Sequence, residues 1–248
     1  ATGGQFVNQA PGVFRINSAR SLYNGALTNL GVIRKTSLDT SYLSRPLNGG
    51  TPTFSNQGTV DVQNGTLEID AGGTSNGTFT TAASALLIFN PSTLSPATLQ
   101  GGSLSGNASF AGGTTVINGT NLNSSNLVLR SNSTLQVDSQ SGAADSFTMT
   151  GGVLQGSGDF QTKALDWSVG IMQGAGKTIA TESAQVHSDV LLTLNRDFEN
   201  RGALTWSGAG STLLAGGAST TLTNTQTGIW EIQGAQKLQN GTFLNNGL

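Results

Sequence analysis

Apolar and polar residues alternate in short bursts along this chain. Val60-Asp61-Val62, Leu67-Glu68-Ile69, Leu127-Val128-Leu129, Leu135-Gln136-Val137, Leu204-Thr205-Trp206 and Trp230-Glu231-Ile232 place apolar side chains two apart. That spacing sends them to one side of an extended strand. Gly, Asn and Ser separate the bursts, and their permissive backbones suit sharp corners. No window of helix length carries an apolar stripe at helical period. The pattern predicts many short strands and no helical domain. Leu67, Ile69, Leu127, Leu129, Leu135, Val137, Leu204, Trp230 and Ile232 are the expected lining of a dry core.

The bursts recur in longer phrases. Phe6 to Val32 aligns without a gap on Leu222 to Leu248, at an offset of 216 residues with nine identities in 27 positions. Leu99 to Phe110 aligns on Met149 to Phe160 at an offset of 50, sharing Gly101/Gly151, Gly102/Gly152, Leu104/Leu154, Gly106/Gly156 and Phe110/Phe160. A shorter phrase, close to apolar-x-Asn-x-x-Gly, begins at Leu27, Phe54, Phe198 and Phe243. Leu27 and Phe54 stand 27 residues apart, and the related segment at Leu222 divides the interval from Phe198 to Phe243 into 24 and 21. Those are coil lengths of a solenoid, in which each coil buries its inward side chains on its neighbours. At roughly 22 residues per coil, residues 1–248 form a single array of about 11 coils. At the inter-strand spacing of about 4.8 Å, the rod is about 50 Å long.

Composition narrows the partners. Only 10% of residues are charged and the net charge is −2. That excludes the concentrated basic face of a nucleic-acid binder. No apolar stretch is long enough to span a membrane as a helix. The chain has no cysteine, so disulfides do not hold the fold. Charge is unevenly placed: none lies between Asp70 and Arg130, and much lies between Asp159 and Arg201. A second charged group falls in 34–48, which breaks the repeat and contains Pro46. We read 34–48 as a loop projecting from the rod. Arg34, Lys35, Asp39, Tyr42 and Arg45 are its candidate ligand contacts, since function gathers on loops carried by rigid scaffolds.

Catalytic chemistry is thin. Gly174-Ala175-Gly176-Lys177-Thr178 ends like a phosphate loop, but Ile171 stands where the first glycine belongs. It reads as a turn. His187 is the only histidine, so any serine triad would use it, with Asp189 nearby. The acid pairs Glu68/Asp70 and Asp197/Glu199 share strand faces, and no signal of burial sets one carboxyl apart as a glycosidase acid needs. A groove joining Asp159, Lys163, Asp166 and Glu182 would favour an enzyme. Asn-x-Ser/Thr occurs at Asn64, Asn76, Asn107, Asn118, Asn123, Asn132 and Asn240, near the number such a composition gives by chance. Asn ladders within stacked turns are the better account. Thr-x-Thr pairs at Thr51, Thr78, Thr148 and Thr221 are too irregular for an ice-binding face. No cofactor and no metal site is expected.

GGSLSGNASF, GGVLQGSGDF, FSNQGTVDVQNGTLEI and LTNTQTGIWEI resemble the strand repeats of large bacterial surface proteins. Filamentous haemagglutinin-like adhesins and autotransporter passengers are similar in this way. The resemblance implies a right-handed parallel β-helix, export to the cell surface or beyond, and roles in attachment, biofilm or surface coats. It implies a structural or adhesive protein rather than an enzyme, with a glycan or host-surface ligand. A polysaccharide-binding or polysaccharide-degrading β-helix is the alternative. The matching termini suggest continuation in a longer chain of 216-residue units, or subunits stacked end to end in an extracellular filament. Phe6, Asn8, Phe14, Ile16, Trp230, Ile232, Phe243, Asn245 and Leu248 would make that contact. Ordinary similarity between coils is the competing explanation of the match.

Overall fold

The computed structural model describes residues 4–23, 25–47, 50–208, 212–215 and 219–248. Among them there is no helix. The chain winds as a parallel β-solenoid of about 11 turns. Each turn gives one strand to each of three faces. The first face starts with Gln5–Asn8, Ala26–Asn29 and Thr53–Asn56, and the second with Val13–Ile16, Val32–Lys35 and Thr59–Val62. The third starts with Ser21–Tyr23, Thr40–Arg45 and Thr66–Ile69. Each strand pairs in parallel with its counterpart one turn on, so the backbone hydrogen bonds between turns run along the rod.

Alternation decides what each strand buries. In Thr59–Val62 and Thr66–Ile69 every second side chain is buried. The inward side chains of the three faces meet in the core: Phe54 on the first face, Phe79 on the second, and Phe89 and Phe110 in register on the third follow one another at ring-centroid distances of 6.5, 5.5 and 5.8 Å. Leu67, Ile69, Leu127, Leu129, Leu135, Val137 and Leu204 are all buried, as their alternation predicts. Trp230 and Ile232 depart from the expected core. They stand in register with Leu204 and Trp206, yet Trp230 is only half-buried and Ile232 is 54% exposed. They belong to the last described turn, and burial in a solenoid requires a turn on both sides.

Towards the middle the corners flatten until strands run through them. Phe160–His187 is one 28-residue extended segment that crosses all three faces. Elsewhere the corners need specific residues. Gly31, Gly58 and Gly77 stack between the first and second faces. A Cβ on Gly58 would lie 2.0 Å from the Gly31 carbonyl oxygen, and one on Gly77 2.3 Å from that of Gly58. Beside them runs a buried amide ladder. Asn8 Nδ2 donates to Asn29 Oδ1 and Asn29 Nδ2 to Asn56 Oδ1, both at 2.7 Å. A second ladder joins Asn200, Asn224 and Asn245 at 2.9 and 2.8 Å. It occupies a different corner, between the second and third faces.

That difference bears on the sequence repeats. Followed turn by turn, the face that begins with Gln5–Asn8 arrives at Lys237–Gln239 rather than Thr221–Asn224, its partner in the alignment. The internal pair behaves alike: Leu104 lies on the second face and Leu154 on the first. Aligned segments share the chemistry of a corner and not a position around the rod.

The loop reading of 34–48 is corrected. Arg34 and Lys35 end the strand Val32–Lys35, and Tyr42 and Arg45 belong to Thr40–Arg45, both integral to the wall. Asp39 lies exposed in the corner between them. Asn48 falls outside the described residues. Lys35 is wholly buried, its Nζ donating to Ser37 O at 2.6 Å, Ser37 Oγ at 2.9 Å and Asn64 O at 3.3 Å. The alternation puts Lys35 inward beside Ile33, and the corner carbonyls satisfy it.

Candidate functional site

The chemistry-bearing side chains fall into separate clusters along the outer wall. The residues proposed as one ligand loop are dispersed. Arg34 points out from the second face and pairs with Asp61 at 2.8 Å. Lys35 is interior. Tyr42 and Arg45 sit on the third face, the Arg45 guanidinium 4.3 Å from the Tyr42 ring centroid.

Beside Arg45 lies the most unusual group of the molecule. Asp70 ends the strand Thr66–Ile69 at the corner between the third and first faces, where it is 7% exposed. Asn90, one turn on, donates from Nδ2 to both Glu68 Oε1 at 2.7 Å and Asp70 Oδ1 at 3.1 Å. Arg45 Nε stands 3.8 Å from Asp70 Oδ2, near but beyond a good hydrogen bond. Burial, then the hydrogen bond and charge of Glu68, push the Asp70 carboxyl up to about 7 against the pull of Asn90 and Arg45. The sequence placed this acid pair on one face but carried no sign of its burial. Glycosidase carboxyls stand about 5 Å or more apart to admit sugar or water; these two converge on the one Asn90 Nδ2.

The second acid pair is occupied otherwise. Asp197 Oδ1 accepts the Thr221 N–H at 2.8 Å. Glu199 accepts from Lys177 at 2.8 Å and from Arg201 at 2.6 Å. Burial tends to raise the Glu199 carboxyl, and these two hydrogen bonds outweigh it and hold it below the usual value. Behind them Arg196, 2% exposed, donates to the carbonyls of Gln173, Gly158 and Lys177 at 3.2, 2.9 and 3.0 Å. Burial pushes its guanidinium down to about 10. Gly174–Thr178 is a corner within the long strand, and strand rather than helix follows it.

The four residues named as a groove divide. Asp159 accepts the Lys177 N–H at 2.8 Å. Lys163 pairs with Asp145 at 2.6 Å, with Glu182 close enough to favour its charge. Asp166 pairs with His187 Nε2 at 2.6 Å. Asp166, 21 residues before His187, is thus brought to it from the turn before. Asp166, bonded to His187, lines a shallow cavity of about 240 Å³ together with Ser146, Thr148, Ser183 and Gln185.

The ends carry the remaining named residues. Phe6 and Phe14 meet at 5.1 Å, and Trp230 lies 4.9 Å from Phe243. Phe6 and Phe243 are each 39% exposed and Leu248 84%, whereas Ile16 is buried. Asn8 and Asn245 are the outermost rungs of the two ladders. Comparison with protein families, curated proteins and solved structures finds no match.

Proposed function

We propose that this chain is a structural rod that works as a spacer or attachment element outside the cell. The observation that carries the reading is how the wall uses its polar groups. Arg34–Asp61, Lys163–Asp145, Lys177–Glu199 and Asp166–His187 pair from turn to turn along the axis, and Arg201 joins Glu199 from within its own turn. Their charges are spent on neighbours in the wall instead of converging on a shared cleft. Amides do the same: Gln155 donates to Gln136 at 3.2 Å and Gln173 to Gln155 at 3.1 Å. Uncharged, ladder-bound surfaces suit a rod whose work is reach and stiffness. Immunogold labelling of the native source tests the location; label confined to the cytoplasm defeats the proposal.

One observation favours a second reading. The Asp166–His187 pair places an acid and a base beside a cavity large enough for part of a sugar ring, which fits a polysaccharide-active surface. Glycan array screening followed by a reducing-sugar assay separates the two. Sugar release that disappears in His187→Ala would establish the enzyme and remove the structural reading.

A further inference from the structure

Asp70, Glu68, Asn90, Arg45 and Tyr42 join three consecutive turns at one corner. Asp70 N donates to Leu43 O at 3.1 Å, tying it to the turn before, and Asn90 N donates to Ile69 O at 2.9 Å, tying it to the turn after. Two carboxyls converge on one amide nitrogen, and one of them is shut from water. Such a pair is stable when it shares a proton and repels itself when both groups ionise. The single cation facing it among the described residues is Arg45, itself engaged on the Tyr42 ring. The turn after brings Asn90, which is neutral.

We propose that Glu68 and Asp70 form a pH-sensitive clasp, closed while they hold a proton between them and loosened when both are ionised. The clasp secures the corner that follows Ile69, beside Leu43 and Arg45 of the turn before. Its direction follows from linkage. Asp70 is raised from 3.8 to about 7 in the folded chain. A carboxyl raised on folding favours the native state fully below the unfolded value. That contribution is lost as pH climbs through the folded value. The corner therefore tightens in acid and loosens between about pH 4 and 7, opposite to a carboxylate held by salt bridges.

The test is hydrogen exchange of the full chain at pH 5 and pH 8, corrected for intrinsic exchange rates, read at the Asp70 and Asn90 amides. Protection there should fall by about tenfold or more at pH 8, while the Leu135 amide, remote from the pair, keeps its protection. Asp70→Asn retains the hydrogen bonds without the charge and should show equal protection at both pH values. Arg45→Gln removes the cation that favours ionisation of Asp70, so the loss of protection should move to a higher midpoint pH. Unchanged wild-type protection, or a pH response that survives in Asp70→Asn, overturns the clasp.

Discussion

Asn29 is wholly buried and holds three partners: it accepts from Asn8 and donates to Asn56 Oδ1 and Thr59 O. Truncating it strands buried polar atoms on two neighbouring turns. Asn29→Ala should cost about 2–4 kcal/mol, well above an ordinary hydrogen bond, because groups left unpaired bear the desolvation cost. Asn245→Ala, on the exposed last rung, should cost about 1 kcal/mol or less. Urea titrations of both variants check this; equal midpoints would mean that ladder position is irrelevant. The recurring phrase in the sequence marked Asn29, Asn56, Asn200 and Asn245 as corner residues. It could not say that they bond to one another, since partners lie 21 to 27 residues apart. Lys35 and Asp70 were illegible for the same reason. A charged side chain reads as exposed until the carbonyls and carboxyls of adjacent turns are known.

At the scale of elements, strands were legible, and of the corners the composition was legible but not the packing. The alternating triplets at Val60, Leu67, Leu127, Leu135, Leu204 and Trp230 all fall within strands. Burial of one wall face writes a period of two directly into the sequence. The segment 34–48 was misread because charge and Pro46 outweighed the alternation of Val32–Lys35 and Thr40–Arg45. Corners obey another rule, that of close approach. Gly58 does not sit in a left-handed backbone region, so its requirement is for space alone. Gly58→Ala must force the Gly31 carbonyl away and pull the first two corners apart. The expected loss is about 3 kcal/mol or more, in the range of overpacked sites. Thermal unfolding of Gly58→Ala beside Ala82→Gly, at an open corner, measures it. A loss no greater than the control would show that the stack yields.

Across the whole molecule, stability is additive from turn to turn, with few contacts between distant turns. The stretch from Ala71 to Leu129 carries no charge, so no ion pair joins its turns; packing, backbone hydrogen bonds and neutral side-chain bonds such as Thr120 Oγ1 to Leu99 O at 2.8 Å hold them. Those bonds lie parallel to the rod, and that orientation governs what tension would do. Force along the axis loads one inter-turn seam at a time, as in a zipper, instead of shearing a whole sheet. When a turn yields, about 4.8 Å of rod becomes about 75 Å of slack chain, taking about 22 residues at roughly 3.4 Å each. Single-molecule stretching from the two termini should therefore give a train of small rips at low force, spaced by one turn of contour length. A single rupture that released the entire contour at once would refute it. A filament made this way would absorb a sudden tug by paying out line, and would shorten again as its turns rewound.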